Sequence, residues 1–386
     1  MKKKKIVFFS ASRAEYSIQY PILKKFQKNR LFKVYFIVAG SHTSTAVGNT
    51  LDEIKKDKIN IFHKIKLNLK TNDSFNLNMY SVELQKKILK VLSKIKPDSI
   101  FLTSDRFETL SVALVSHFMK IPIIHLEGGD VTAGGTLDDD SRHAITKLAA
   151  LHLVTNYDSK NRVIKLGEET KRIIDIGFPP LNMIHKKSLY NKEYLEKKFN
   201  IGLDDSLILF TYHPVPNEIG SIKLIFNVLK KIQNKNLKII ITYPNFDPGY
   251  KKIVNEIKKI KNKKNFIVVK NLGRKMYFSI LNYLGTYNKG ICMGNSSSGI
   301  KETMYFKCKT INLGTRQQTR LKTKNIYDCN IRSVEMINLI NKVINLKRNF
   351  NKNSNPYLSK KVFVKIDQKI FKFMKWKFFS QKKITY

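Results

Sequence analysis

Residues 6–17 read IVFFSASRAEYS, an apolar run of β-branched and aromatic residues that ends in small polar ones. This pattern is typical of a buried parallel strand that turns tightly into a helix. Ile18, Ile22 and Phe26 follow at helical spacing and mark the inner face of that helix. The segment therefore predicts the first βα unit of a doubly wound α/β sheet.

The same alternation continues along the chain and predicts two such sheets. Further strands of the first half are predicted at 34–39, 99–103, 121–126, 151–155 and 173–176. After the turn-forming residues 177–180 the alternation restarts, with strands predicted at 207–212, 238–242, 266–269, 290–293 and 310–313. We expect two Rossmann-like domains, 1–178 and 179–358, and a C-terminal helix in 359–386. Ligands of such sheets bind at the carboxyl ends of the strands.

Composition and charge set limits on function. The 386 residues contain 42% hydrophobic and 26% charged residues, which is typical of a globular chain with more than one core. The net charge of +43 would attract polyanions or anionic membranes, but lysine is spread from end to end and no nucleic-acid-binding motif accompanies it. We expect no nucleic-acid partner, although a basic polyanion- or membrane-surface-binding protein remains the alternative of another class.

The cysteines and the two termini bear on the cellular location. Cys292, Cys308 and Cys329 are odd in number and lack metal-ligand spacing, so we expect no disulfide and no metal site. The apolar run at 6–9 is too short for a signal peptide or a membrane span. We therefore expect a cytoplasmic protein without stable membrane insertion. The basic, aromatic stretch 360–386 fits either a membrane-surface helix or a helix that packs on the domains, and the packing interpretation is favoured.

Polar clusters follow several strands of the first half. Arg13 lies at a helix start where backbone N–H groups favour an anion, although simple helix capping explains the same residues. Asp105 and Glu127 each come directly after a strand, where partial burial suits a carboxylate for acid–base work; a helix cap and a lysine partner are their alternatives. Asp138 opens another helix behind Gly134 and Gly135, and capping alone also accounts for it.

The second half adds a candidate phosphate site. His213 follows a strand and could donate to a phosphate or leaving-group oxygen, although a lone histidine is more often structural. Residues 243–249 form a turn-rich loop that could face a ligand. Residues 294–301 read GNSSSGIK, a Gly/Ser turn whose hydroxyl and N–H groups can bind a diphosphate, and Glu302 follows as a candidate ribose ligand. A Ser-capped helix is the alternative.

Together these segments resemble the hydrolysing UDP-N-acetylglucosamine 2-epimerase family of sialic acid biosynthesis, including the epimerase half of the animal bifunctional enzyme. The resemblance rests on segments that occur in family order: 12–16, 105–108, 125–130, 138–149, 213–215, 244–249, 294–299 and 312–317. It implies a glycosyltransferase B-type fold, with the nucleotide sugar between the two domains and the last helix crossing back to the first. It also implies UDP-binding roles for these residues: Arg13, Ser17, Arg106, His213, Asn245, Ser296, Ser297, Glu302 and Arg316.

By the same resemblance, Asp105, Glu127 and Asp138 are the catalytic carboxylates, and His213 assists departure of the diphosphate. The implied reaction converts UDP-N-acetylglucosamine and water into N-acetylmannosamine and UDP through a 2-acetamidoglucal, without a cofactor. The expected partners are the UDP-sugar and further copies of the chain in a homo-oligomer. The rival substrate is UDP-N,N'-diacetylbacillosamine, used for legionaminic acid. A non-hydrolysing epimerase ranks lower, because 142–148 and 314–317 resemble the hydrolysing branch, and a glycosyltransferase ranks lower still.

Overall fold

The computed structural model describes residues 2–43, 50–67, 73–133, 137–232, 236–244, 249–347, 350–351, 354–376, 379 and 381–385. The chain divides into two units. The first unit comprises Met1–Asp130, Leu137–Ile184 and Pro356–Tyr386, and the second comprises Val131–Thr136 and His185–Asn355.

The described part of the first unit contains a parallel sheet of seven strands in the order β3-β2-β1-β4-β5-β6-β7. The strands are β1 Lys4–Ser10, β2 Phe32–Val38, β3 His63–Lys64, β4 Ser99–Thr103, β5 Ile123–Leu126, β6 Leu151–Val154 and β7 Ile173–Asp175. Its helices before the second unit are α1 Arg13–Lys28, α2 Thr50–Lys56, α3 Ser74–Ile95, α4 Phe107–Phe118, α5 Asp138–Leu148, α6 Tyr157–Lys165 and α7 Pro179–Asn182.

This sheet is buried on both faces, which explains why its strands read as continuous apolar runs. In β1, Ile6 and Phe8 belong to one hydrophobic cluster, whereas Val7 and Phe9 belong to another. Ile22 and Phe26 of α1 join the first cluster, as the helical spacing predicts. The α3 stripe, with Leu84 and Ile88 at its centre, joins the second cluster.

The described part of the second unit contains a parallel six-stranded sheet in the order β10-β9-β8-β11-β12-β13. The strands are β8 Ser206–Thr211, β9 Leu237–Thr242, β10 Phe266–Val269, β11 Gly290–Gly294, β12 Thr310–Leu313 and β13 Ile326–Cys329. The helices are α8 Lys192–Phe199, α9 Ile222–Lys231, α10 Tyr250–Ile260, α11 Gly273–Thr286, α12 Ser297–Lys301 and α13 Ser333–Ile344.

The described residues from Pro356 onward belong to the first unit and include α14 Lys360–Val364 and α15 Ile366–Met374. Asp367 accepts a hydrogen bond from Asn29 at 2.6 Å and pairs with Lys25 at 3.4 Å. Beyond the helix, the buried guanidinium of Arg172 donates to the carbonyl of Phe379 at 2.8 Å and to that of Gln381. The tail is thus held by the buried apolar residues of α15, by the bonds of Asp367 to α1 and its C-cap, and by hydrogen bonds from Arg172 to main-chain carbonyls.

The predicted α/β class with two doubly wound sheets is confirmed, and each predicted strand overlaps an observed one. Strand β5 starts at Ile123 rather than at 121, immediately after Pro122, which has no N–H to donate to the sheet. The short strands β3 and β13 were not predicted. In the described residues, no helix is both long and apolar enough to cross a membrane.

Candidate active site

The turn from β1 into α1 is held by a reciprocal cap, as the capping interpretation of this segment predicts. Ser12 accepts from the Glu15 N–H, and the Glu15 carboxylate accepts from the N–H groups of Ala11 and Ser12 at 2.7 and 2.9 Å. Arg13 and Ser17 lie half-buried in the first turns of α1. The cap therefore fixes the backbone that carries two of the predicted UDP-binding residues.

Glu15 also links this turn to the start of α4. Thr109 donates to Glu15 at 2.5 Å, and Arg106 makes a two-pronged ion pair with Glu108 at 3.0 and 3.3 Å. Burial raises the pKa of Glu15 to about 7; the charge of Arg106 opposes that rise and that of Glu108 adds to it. The predicted UDP-binding Arg106 therefore lies in one polar network with the Arg13 turn.

Strands β4 and β5 are each followed directly by a residue with left-handed backbone, Ser104 at φ 64° and Glu127 at φ 71°. Side chains other than glycine adopt this conformation only at a cost, and such strain is concentrated at functional sites. Ser104 Oγ donates to Glu127 Oε2 at 2.5 Å, and both side chains are buried. The Glu127 carboxylate is thus held by a hydroxyl group rather than left to rotate.

His125 contacts the backbone of Ser104 and so supports the pair of Ser104 and Glu127. Its Nε2 lies 2.8 Å from the carbonyl oxygen of Ser104, and its Nδ1 lies 3.2 Å from Thr146 Oγ1. Burial lowers the pKa of His125 to about 3, against the opposing effect of the bond to Ser104. The ring is therefore neutral and donates its Nε2 proton to that carbonyl, which is a positioning role.

Asp105 pairs with the buried guanidinium of Arg142, which also pairs with Asp139 and donates to the carbonyl of Asp130 at 2.7 Å. The alternative in which Asp105 caps a helix is wrong, because Arg106 occupies the N-cap of α4 and no side-chain cap bond forms there. Asp138 is the first residue of α5 and is half-buried. Arg142 thus links Asp105 to Asp139 in the first turn of α5.

In the second unit, His213 is fixed by the fully buried Asn295. The His213 N–H donates to Asn295 Oδ1 at 2.6 Å, and Asn295 Nδ2 donates to the His213 carbonyl at 2.8 Å. Gly294 precedes that asparagine with φ 134°, and a Cβ there would lie 1.8 Å from the carbonyl oxygen of Thr211. Only glycine lets β11 approach β8 closely enough for this pairing.

Arg316, in the loop after β12, also contacts Asn295. Arg316 Nη1 and Gln317 Nε2 donate to the Asn295 carbonyl at 3.2 and 3.0 Å. The loop is braced by Glu218, which accepts from the Thr315 N–H at 2.6 Å. Asn295 therefore connects two residues, His213 and Arg316, for which the sequence predicted nucleotide contacts.

The Ser-rich turn differs from a capped helix. Ser296 occupies the N-cap of the five-residue helix α12 but makes no cap bond, and its hydroxyl lies 3.1 Å from Ser298 Oγ. Ser297 is the first residue of the helix, and Glu302 is its C-cap residue. The alternative of a Ser-capped helix is therefore wrong: Ser296 stands at the N-cap position, but its hydroxyl makes no capping hydrogen bond.

Glu302 is a buried acid with unused hydrogen-bonding capacity. Its side chain is buried, and Oε2 has no hydrogen-bond partner among the described residues. Burial raises the pKa of Glu302 to about 8, against the opposing charges of Lys301 and Arg274. A buried carboxyl group with a raised pKa and an oxygen that lacks a partner suits a ligand that both donates and accepts hydrogen bonds, such as a diol.

The predicted site residues are therefore distributed over the two units. The first unit holds Arg13, Ser17, Asp105, Arg106, Glu127 and Asp138, and the second holds His213, Ser296, Ser297, Glu302 and Arg316. The predicted Asn245 lies outside the described residues. No sequence pattern singled out Ser104 or Glu218, which help to orient these groups, and Asn295 stood in the predicted Gly/Ser turn without a role of its own.

Comparison with solved structures defines the class of fold. The UDP-GlcNAc 2-epimerase of Neisseria meningitidis, solved with bound UDP-GlcNAc, matches with a TM-score of 0.77 and 17% identity over 96% of this chain and 100% of that one. The fold is accordingly the glycosyltransferase B type, built from two Rossmann-like domains.

Sequence comparison places the chain within that class. The family model for UDP-N-acetylglucosamine 2-epimerase matches residues 24–371, and the chain belongs to this family. It is 35% identical to the GDP/UDP-N,N'-diacetylbacillosamine 2-epimerase (hydrolyzing) of Campylobacter jejuni, over 87% of this chain and 86% of that protein. It is 30% identical to the UDP-N,N'-diacetylbacillosamine 2-epimerase (hydrolyzing) of Legionella pneumophila, over 85% of each.

Proposed function

We propose that this protein is a hydrolysing 2-epimerase that converts a UDP-linked 2-acetamido sugar and water into UDP and the free sugar inverted at C2. The observation that carries the proposal is the identity of 30–35% to two hydrolysing epimerases over about 85% of the chain. The carboxylates of the first unit, which are fixed by Ser104 and Arg142, and the polar loops of the second unit supply groups that suit proton transfer and diphosphate binding.

The second unit binds the nucleotide in this proposal. The Arg316 guanidinium suits a diphosphate because it is charged and bidentate, and the hydroxyls of Ser296 and Ser297 supply further donors. Glu302 takes the ribose hydroxyls, which satisfies its buried Oε2. His213, with its backbone bonded on both sides by Asn295, directs its ring at the leaving oxygen.

The carboxylates of the first unit act on the sugar. One of them removes the C2 proton while the C1–O bond to UDP breaks, which gives a 2-acetamidoglucal with a C1–C2 double bond. Water then adds its oxygen to C1, and a proton is delivered to C2 from the opposite face. Glu127 is the first choice for proton transfer at C2, because it directly follows β5 and the Ser104 hydroxyl fixes its carboxylate there.

Cations offset the negative charge that develops on the departing diphosphate, and Arg13, Arg106 and His213 are the proposed groups. Asp105 and Asp138 stabilise the positive charge that develops at C1 and activate the entering water. The overall reaction involves no net oxidation or reduction, so it needs no redox cofactor.

Two sugars are candidates. UDP-N,N'-diacetylbacillosamine takes first place, because the two hydrolysing relatives described above carry N,N'-diacetylbacillosamine in their names, linked to GDP or UDP in one and to UDP in the other. UDP-N-acetylglucosamine, the first expectation from the sequence, is the second and is favoured by the family model. The ratio of kcat/KM for the two sugars decides between them.

The test of the reaction is product analysis in water enriched with oxygen-18. We expect free 2-epimerised sugar together with UDP that carries no oxygen-18, because the bond that breaks is C1–O. Oxygen-18 in UDP would indicate attack at phosphorus and would contradict the proposal. A UDP-linked epimer as the product would assign the chain to non-hydrolysing chemistry.

A further inference from the structure

The hydroxyl group of Tyr277, on α11, contacts the Ser-rich turn of the second unit. Tyr277 Oη lies 2.6 Å from Ser298 Oγ, and Ser298 Oγ lies 3.1 Å from Ser296 Oγ. All three residues are half-buried. The three hydroxyl groups therefore form a series that leads from α11 to the N-cap position of α12, and we call this series the hydroxyl chain.

Tyr277 lies on the packed side of α11. Ile280, Leu281 and Leu284 follow it at helical spacing and are buried. A ring at this position fills the space beside these residues, and phenylalanine would fill it equally well. The hydroxyl group is what phenylalanine lacks, so the contacts of that group carry any role that is specific to tyrosine.

Two ionisable side chains lie close to the Tyr277 hydroxyl. The thiol of Cys292, buried on β11, is hydrogen-bonded to it, and the charge of Glu302 acts on it. Burial raises the pKa of Tyr277 well above its ordinary value, Cys292 and Glu302 add to the rise, and the hydrogen bond to Ser298 opposes it. The hydroxyl therefore keeps its proton at neutral pH and is able to donate it.

A diphosphate ligand fixes the direction of the hydroxyl chain. Phosphate oxygens accept hydrogen bonds, so a hydroxyl group that contacts them must donate its one proton. When Ser296 donates to the diphosphate, Ser298 must donate to Ser296, and the Ser298 oxygen then accepts from Tyr277. Hydrogen bonds in such a series strengthen one another, because each donor is polarised by the bond that it accepts.

We propose that Tyr277 is a positioning residue for nucleotide binding, because its hydroxyl is the first donor of a hydroxyl chain that ends on the diphosphate. The inference rests on the proposed function, in which Ser296 and Ser297 bind the diphosphate. Tyr277 does not itself contact the ligand in this arrangement. It acts through Ser298 and Ser296, whose protons it directs towards the ligand.

Replacing Tyr277 by Phe keeps the ring and removes the first donor of the hydroxyl chain. We expect the Kd for UDP to rise about three- to tenfold, which corresponds to the loss of one net hydrogen bond. Isothermal titration calorimetry on the full chain measures this change.

Tyr283→Phe is the matched control on the same helix. The Tyr283 side chain is buried, and its hydroxyl donates to Glu196 Oε1 at 2.9 Å. Six residues of helix place it roughly 120° around α11 from Tyr277. We expect the Kd for UDP of this control to stay within about twofold of that of the unmodified protein, because the two hydroxyl groups share no partner.

Cys292→Ala separates the hydroxyl chain from the packing of α11 against β11. The substitution removes the thiol beside Tyr277 and leaves all three hydroxyl groups in place. Sulfur is a weak acceptor, so we expect UDP affinity to stay within about twofold of the unmodified value. An equal loss of affinity in Cys292→Ala and Tyr277→Phe would assign the effect to packing and would overturn the proposal.

Phosphorus-31 NMR of bound UDP supplies a readout that a merely structural role does not move. At saturating protein, the UDP resonances in Tyr277→Phe should differ in chemical shift from those in the unmodified protein, whereas those in Tyr283→Phe should coincide with them. Thermal unfolding of the three variants checks that each one folds.

The outcomes distinguish this inference from the proposed function on which it rests. If the unmodified protein binds UDP, and Tyr277→Phe binds it with the same Kd and the same phosphorus shifts, the role of Tyr277 is overturned and the proposed function stands. Failure of the unmodified protein to bind UDP would overturn both.

Discussion

Replacing Asn295 by Ala should destabilise the second unit and weaken its hold on nucleotide. The side chain sits in a fully buried position and satisfies both backbone groups of His213, at 2.6 and 2.8 Å. Alanine cannot reproduce either bond, and His213 is itself buried. The N–H and C=O of His213 therefore lose their partners in a buried place.

The expected cost follows from these two groups. A buried main-chain group without a partner costs about 1–3 kcal/mol, so the pair should lower the free energy of unfolding by about 2–6 kcal/mol. For a unit of this size the change corresponds to a fall in the melting temperature of roughly 10 °C. The carbonyl of Asn295, which Arg316 contacts at 3.2 Å, should shift as well, so UDP affinity should fall along with stability.

Differential scanning calorimetry and isothermal titration with UDP measure the two effects. Asn341→Ala is the matched control, because that asparagine is exposed on α13, and its unfolding free energy should change by less than about 0.5 kcal/mol. If Asn295→Ala unfolds like this control and binds UDP as tightly as the unmodified protein, the argument that Asn295 positions His213 is refuted.

Four further predictions address the individual groups. Glu127→Gln should reduce kcat by about a thousandfold while the dissociation constant for UDP stays within about threefold, because the carboxylate acts at the sugar; loss of UDP binding in calorimetry would remove it from that role. Arg316→Ala should act in the opposite sense, weakening UDP binding by roughly ten- to a hundredfold before kcat changes, and titration calorimetry measures this directly. Ser104→Ala should lower kcat while KM for the UDP-sugar changes little, because the hydroxyl that holds Glu127 at 2.5 Å is lost, and an unchanged kcat with a raised KM would contradict a positioning role. The pKa of Glu302 rises from 4.5 to about 8 on folding. The contribution of this group to the free energy of unfolding is therefore fully present below pH 4.5 and is lost as the pH rises to 8. Urea unfolding of Glu302→Gln at pH 5 and pH 8 should therefore show a smaller decline than the unmodified protein, and an equal decline would contradict the raised pKa.

Much of the fold follows from the sequence because its strands are buried on both faces. A run such as Ile6 to Phe9 must be apolar throughout when alternate residues pack into separate layers. The two strands that escaped prediction lie at sheet edges. Strand β3 consists of two exposed residues, and β13 carries the exposed Asp328 in its centre, so neither shows an apolar run.

The candidate site was predictable in part for a related reason. Parallel strands bring their carboxyl ends to one edge, so polar residues after strands, such as Asp105 and Glu127, could be singled out. Their partners could not be found this way. The bonds from Arg142 to Asp105 and from Asn295 to His213 join segments that are distant along the chain, and no local spacing predicts them.

His125 illustrates the same limit. It stands in the polar cluster after β5 and looks chemically active in the sequence, yet burial keeps its ring neutral and bonded to the Ser104 carbonyl. Only the burial of the side chain, which depends on packing of the whole unit, distinguishes a positioning histidine from a catalytic one.

In the proposed reaction, a carboxylate of the first unit exchanges the C2 proton with solvent while UDP departs. Turnover of UDP-N,N'-diacetylbacillosamine and of UDP-N-acetylglucosamine in deuterated water, followed by proton NMR, tests it most directly. We expect free UDP and a free sugar that is inverted at C2 and carries one deuterium there. A released sugar that keeps its original C2 proton and configuration would contradict it.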